Sequence, residues 1–141
     1  MARYQGKEWP SGSFLAGLAP SDRQALLSLG TLCHYRPGAA LVVEGDRTTD
    51  VLLLLRGLVK ITATAESGRP ALLAIRAGGD LIGELAAIDS TPRIATATAA
   101  GVISANRIGA QEFRPFLVSH PMTALTRRPA PSTRAGPSSA R

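Results

Sequence analysis

Several ingredients are scarce in this 141-residue chain, and each scarcity removes a class of protein. The single cysteine, Cys33, cannot close an internal disulfide, nor by itself hold a structural zinc or a cluster that takes several thiolates. It reads instead as a small apolar filler in a reducing compartment. Aromatic residues number only six, so the core is expected to be aliphatic, built from Leu, Ile, Val and Ala. No apolar run has the length to span a bilayer, and the N-terminus lacks the charged-then-apolar order of a secretory signal. The expectation is a cytoplasmic chain with no membrane partner. There is no Gly-x-Ser-x-Gly, no P-loop and no acid pair at helical spacing, so no enzyme is expected and no catalytic residue is assigned. His34 and His120 form no His-x-His pair; they read as a strand residue and a loop residue, and no metal is expected.

Acidic residues are fewer than basic ones, and the net charge of +6 suggests nucleic acid until its location is considered. Arg127, Arg128, Arg134 and Arg141 all lie in the last fifteen residues, which leaves residues 1–126 with a net charge of only +2. The excess belongs to Arg127-Arg128 and to the tail that follows, 129–141, made of Pro, Ser, Ala, Gly and Arg with a single Thr. Such a composition cannot form a packed core, and the tail is expected to be disordered and solvated.

What is present is a regular succession of short apolar segments. Residues 1–12 mix charge, Gly and Pro and read as a flexible lead-in. Ser13 to Leu18 reads as a short apolar turn that packs onto the domain. Pro20 suits the first turn of a helix, Asp22 its positive end, and Ser21 with Gln24 has capping-box spacing. Leu26, Leu27 and Leu29 give that helix an apolar side, and Gly30 ends it. The period then changes. Leu32–Tyr35, Leu41–Val43, Val51–Leu55, Leu58–Thr62 and Pro70–Ile75 read as strands separated by Pro37-Gly38, Glu44-Gly45-Asp46, Arg56-Gly57 and Glu66-Ser67-Gly68 turns, the last strand being closed by Ala77-Gly78-Gly79-Asp80. Two more strands, Ala95–Ala99 and Val102–Ile108, lie around Gly101. Ala110–Val118 reads as a helix with Pro115 in its interior, and a second helix begins at Pro121 and stops before Pro129. Short strands with glycine turns and no helical crossovers predict a mainly β fold, a sandwich, barrel or jelly roll.

One stretch differs in kind. Leu81 to Thr98 holds Gly83 and Glu84 at the start of a short helix-forming run, an Asp-Ser-Thr-Pro turn, and then Arg93 entering an alternating strand. Backbone amides at the helix start and a guanidinium ten residues later can hold an anion together. Glu84 can accept hydrogen bonds from hydroxyls on the same ligand. The combination suits a sugar phosphate.

Six segments occur in a telling order: Phe14-Leu-Ala-Gly-Leu18, Tyr35-Arg-Pro-Gly38, Glu44-Gly-Asp46, Arg56-Gly-Leu-Val-Lys60, Gly79-Asp-Leu-Ile-Gly-Glu-Leu-Ala86 and Thr91-Pro-Arg-Ile-Ala-Thr96. Between Phe14 and Pro121 this order resembles the cyclic-nucleotide-binding domain of catabolite-activator-type (Crp/Fnr) transcription regulators and cyclic-nucleotide-dependent kinases. The resemblance implies a double-stranded β-helix, or jelly roll, over residues 13–120, flanked by short N- and C-terminal helices. It implies a site in which Glu84 accepts the ribose 2′-hydroxyl and Arg93 pairs with the cyclic phosphate. Amides of Leu85, Ala86 and Ile94 would complete the anion cradle, Gly83 would allow close approach of the ribose, and Ala95 would stand at the end of the cassette. Ile94 lacks the hydroxyl that cyclic-GMP-selective members place after the arginine, so cyclic AMP is the expected ligand. The departure is at the C-terminus. The long helix that in the family's bacterial regulators forms the dimer seam and caps the base is shortened to 121–128, and no recognition helix follows. The chain is therefore expected to be a sensory module without its own helix-turn-helix. It would be a monomer or weak dimer that does not bind DNA sequence-specifically by itself. A barrel that no longer binds nucleotide, or a regulator dependent on a partner, are the alternatives.

Overall fold

The strand Val51–Arg56 dictates the architecture, because it has no polar side until its last residue. A strand with one wet face alternates apolar and polar residues, whereas five successive apolar residues require cover on both faces. Val51 through Leu54 are fully buried. Val51, Leu53 and Leu55 point into one core, and Leu52 and Leu54 into another. The molecule is built as the two layers that these two cores demand.

The computed structural model describes residues 7–126. The first six residues of the lead-in, the end of the expected last helix and the tail lie outside the described residues. The elements are α1 (Pro20–Leu27), β1 (Thr31–Tyr35), β2 (Ala40–Val42), β3 (Val51–Arg56), β4 (Val59–Thr64), β5 (Pro70–Arg76), β6 (Leu81–Ile82), α2 (Glu84–Asp89), β7 (Thr96–Ala99), β8 (Ile103–Ile108), α3 (Ala110–Ser119) and α4 (Pro121–Thr126). One sheet has the order β1-β8-β3-β6 and the other β2-β7-β4-β5. Every pairing is antiparallel. Two such sheets face to face make the expected mainly β, jelly-roll arrangement.

The layer between the sheets is aliphatic, as expected: Leu41, Leu52, Leu54, Val59, Ile82 and Ile103 fill it with small alanines from β7 and β8. The opposite face of the β3 sheet is covered by helices and takes aromatics as well. Phe113 and Phe116 on α3 pack there with ring centroids 6.5 Å apart, beside Leu15 and Leu26. Trp9 packs against the same cluster. Buried Asn106 on β8 donates from Nδ2 to the Leu27 carbonyl at 3.2 Å, which gives the end of α1 a partner on the sheet. Cys33 is half-buried at a strand surface rather than a core filler, with its Sγ 3.6 Å from the Thr31 carbonyl.

Pro20 occupies the first turn of α1 as expected. The capping box does not form. Because the helix already starts at Pro20, Ser21 lies inside the first turn, and Ala19 at the cap offers no side-chain oxygen. Gly30, at φ +78°, is held by a close approach: a Cβ there would collide with the Arg107 carbonyl. Pro115 stands exposed inside α3, and the helix continues through it to Ser119. β5, expected as one more apolar strand, lies largely exposed. It is an edge strand, and Leu72, Leu73 and Ile75 are about half exposed.

The doubly covered β3 should be the most sensitive element to cavity formation. Leu53→Ala is expected to cost about 2–5 kcal/mol in urea denaturation. A loss below about 1 kcal/mol would mean that the helical layer collapses freely onto the sheet.

Candidate functional site

The loop that follows β6, the start of α2 and the segment entering β7 meet β5 around an open cleft of about 590 Å³. All seven residues expected from the sequence line it: Gly83, Glu84, Leu85, Ala86, Arg93, Ile94 and Ala95. Leu72, Leu73 and Arg76 of β5 form the opposite wall. One wall is thus polar and cationic at its base, while the other is largely aliphatic.

Arg93 lies at the base and is only 5% exposed. Its backbone is clasped by the turn before β3, with Arg93 N–H donating to the Asp46 carbonyl at 2.7 Å and Gly45 N–H donating to the Arg93 carbonyl at 2.8 Å. The guanidinium donates through Nη2 to the Asp50 carbonyl at 2.7 Å, through Nη1 to the Gly83 carbonyl at 3.0 Å and through Nε to Thr48 Oγ1 at 3.1 Å. All three acceptors are neutral. A guanidinium has five N–H donors, so two are left when these three are used. Burial lowers the Arg93 pKa, opposed by the charge of Asp50, reinforced by nearby Arg107 and opposed again by Asp46. The result is a fixed cation that no carboxylate neutralises directly, which is the electrostatic preparation for an incoming anion.

Gly83 precedes α2 in the left-handed conformation, φ +85°. A Cβ there would run into Arg93 Nη1 and would stand 3.2 Å from the Asp50 carbonyl. The glycine therefore makes room for the guanidinium. Among the described residues no side chain caps the start of α2, so the amides of its first turn are left toward the cleft end of the helix. Glu84 is half-buried and makes no hydrogen bond or ion pair among the described residues. Leu85 and Ile94 are exposed at 38% and 68%, and Ala86 is buried. The other end of α2 is closed from α3, where Arg114 donates to the Ala87 carbonyl at 2.6 Å and to Ser90 Oγ at 2.9 Å.

Sequence reasoning did not single out Thr48, Asp50 or Arg76. Thr48 and Asp50 sit 45 and 43 residues from the arginine they hold, in a turn with no local sign of that role. Arg76 lines the cleft from β5, and the only described hydrogen bond of its side chain is a long one, 3.5 Å, to the Ile75 carbonyl. The strand expected from the sequence ended one residue before it, at Ile75, whereas β5 runs through Arg76. His34 is an exposed strand residue, and the His120 ring stacks on Phe116 at 4.5 Å. No group of three or more metal-ligating side chains occurs among the described residues, and no described helix is long and apolar enough to cross a membrane.

Comparison with known proteins agrees with this geometry. Residues 32–120 match the family model of the "Cyclic nucleotide-binding domain". A CRP-like cAMP-activated global transcriptional regulator of Mycobacterium tuberculosis is 29% identical over 105 residues, covering 74% of this chain and 47% of the relative. A cAMP-dependent protein kinase regulatory subunit of Yarrowia lipolytica is 30% identical over 103 residues, covering 73% of this chain and 27% of the relative. The crystal structure of Thermus thermophilus Catabolite Activator Protein superposes with a TM-score of 0.72 at 25% identity, over 80% of this chain and 53% of that one. The chain thus spans about half the length, or less, of these relatives.

Gly83→Ala should disturb this site through the backbone. A left-handed alanine costs roughly 1–2 kcal/mol, and its methyl group must also displace the Arg93 guanidinium. Urea denaturation should show a loss of at least about 1 kcal/mol. Undiminished stability would mean that the turn relaxes without cost.

Proposed function

The chain belongs to the cyclic nucleotide-binding domain family, and on that footing we propose that it is a non-enzymatic sensor whose cleft takes a cyclic nucleotide, cyclic AMP before cyclic GMP. The observation that carries the reading is Arg93, a buried guanidinium held by three neutral acceptors with two donors to spare, in one cleft with Glu84, which has no partner among the described residues. A cyclic phosphate supplies the missing negative charge, and the ribose supplies a hydroxyl for the carboxylate.

In this reading the phosphate sits between the spare Arg93 donors and the amides of Leu85, Ala86 and Ile94. Glu84 accepts the ribose 2′-hydroxyl, Gly83 lets the sugar approach, and Ala95 bounds the cassette without obstructing it. The base lies toward Leu72 and Leu73 of the aliphatic wall. Ile94 offers no hydroxyl for a guanine amino group, and the relatives named above as cAMP-activated and cAMP-dependent point the same way. No metal takes part. The segment acts in the cytoplasm as the sensing part of a transcription regulator. Contact with DNA is the work of other parts or of a partner.

Calorimetric titration with each nucleotide tests the reading. Cyclic AMP is expected to bind more tightly than cyclic GMP; the reverse order would point to the Arg76 fork reading the two acceptors of guanine. Arg93→Ala should weaken binding by about 10- to 150-fold, the worth of a charge-assisted contact of ~1.5–3 kcal/mol. Glu84→Ala should weaken it by about tenfold or less. A melting temperature that neither nucleotide moves in excess would sink the proposal and leave an interaction barrel, with exposed Leu72, Leu73 and Ile94 as its contact surface.

A further inference from the structure

Asp50 touches two arginines with two different groups. Its backbone carbonyl accepts from Arg93 Nη2 at 2.7 Å, and its carboxylate pairs with Arg107 Nη1 at 2.8 Å. Arg107 is the only cation that ion-pairs with a carboxylate among the described residues. It stands on β8 between two strands, opposite Thr31 of β1 and Leu52 of β3, and its Nη2 donates to the Tyr35 hydroxyl. The Arg107 head is therefore held from the sheet, while Asp50 lies at the end of the turn that wraps Arg93.

We infer that Arg107 is a positioning residue for the anion site: by holding the Asp50 carboxylate on the sheet, it keeps that carboxylate from pairing with Arg93 and leaves the spare Arg93 donors to the ligand. The inference rests on the proposed function, in which those donors meet a cyclic phosphate. Its physical basis is competition. A carboxylate and a phosphate seek the same planar donor set, and a carboxylate on the same chain is always present. Asp50 already has its carbonyl on Arg93 and its charge is felt there, so in this inference a side-chain rotamer released from Arg107 turns the carboxylate toward the same guanidinium. Arg107 removes that rotamer by giving the carboxylate a better partner. The ionisation energetics agree, because the hydrogen bond to Asp50 is the largest influence raising the Arg107 pKa, while the Asp50 charge already reaches Arg93.

The pair is partly exposed, 41% for Arg107 and 35% for Asp50, so its loss should leave the fold intact. The test is a double-mutant cycle read by cyclic AMP titration, with folding followed by urea denaturation. Arg107→Ala should raise the Kd about tenfold in the native background, as Asp50 turns to Arg93. In the Asp50→Asn background, where no competing charge remains, the same substitution should change the Kd less than about threefold. Arg107→Lys, which keeps a cation for Asp50, should stay nearer to the native affinity than Arg107→Ala. An Arg107→Ala protein that binds like the native one overturns the inference. So does a tenfold loss that persists in the Asp50→Asn background, since that would mark a purely structural role. If the native protein takes up neither nucleotide, the proposed function falls and this inference falls with it. If the native protein binds and the cycle shows no coupling, only the inference falls.

Discussion

A guanidinium taken out of water must find acceptors, and the satisfaction of Arg93 is the constraint on which this molecule's site depends. Its acceptors come from two places in the chain: the turn before β3, which gives the Thr48 hydroxyl and the Asp50 carbonyl, and the residue before α2. Each is neutral, so the positive charge is held without being cancelled. Had a carboxylate been used instead, the arginine would be more stable and less able to bind an anion. The local design exchanges stability for an unspent charge, and the surrounding turns must carry the arginine's position. Gly83 is part of the same constraint, because the guanidinium fills the space where any other residue would place its Cβ.

The turn before β3 can do this because β3 itself does not move easily. Its five apolar residues are buried in both layers, and it pairs with β8 on one side and β6 on the other. β6 delivers Gly83 and α2, and β3 begins immediately after Asp50. The two sets of acceptors that hold Arg93 therefore emerge from neighbouring, paired strands. α3 adds a further restraint from the helical layer, with Arg114 donating to the C-terminal end of α2. Precision at the cleft is inherited from the densest part of the core.

Much of this was legible in the sequence where the signal is local. The unbroken run at Val51–Leu55, the turn glycines and the proline at the head of α1 all act within a few residues, and the strands and helices fall close to where those signals put them. The seven residues expected at the site share one cleft lining because Gly83 to Ala95 lie within a single stretch. What was not legible depends on distant partners. Nothing near Asp50 announces that its carbonyl will meet an arginine 43 residues on, or that its carboxylate will meet Arg107 57 residues on. β6 is two residues long, too short for alternation to register. The exposure of β5 could not be read from its apolar composition, since edge and centre strands differ only in what lies beside them.

That edge position has a consequence for the molecule in concentrated solution. Among the described residues β5 pairs with β4 alone, so its outer rim presents a line of backbone donors and acceptors beside the half-exposed Leu72, Leu73 and Ile75. Such a rim is a template on which an extended segment of another chain can add itself as a strand. Pro70 at the first position removes one donor from the template, and Arg69 and Arg76 place like charges at its two ends. These three residues are the chain's defence against edge-to-edge aggregation, and the middle of the strand, Ala71 to Ile75, is where that defence is thinnest.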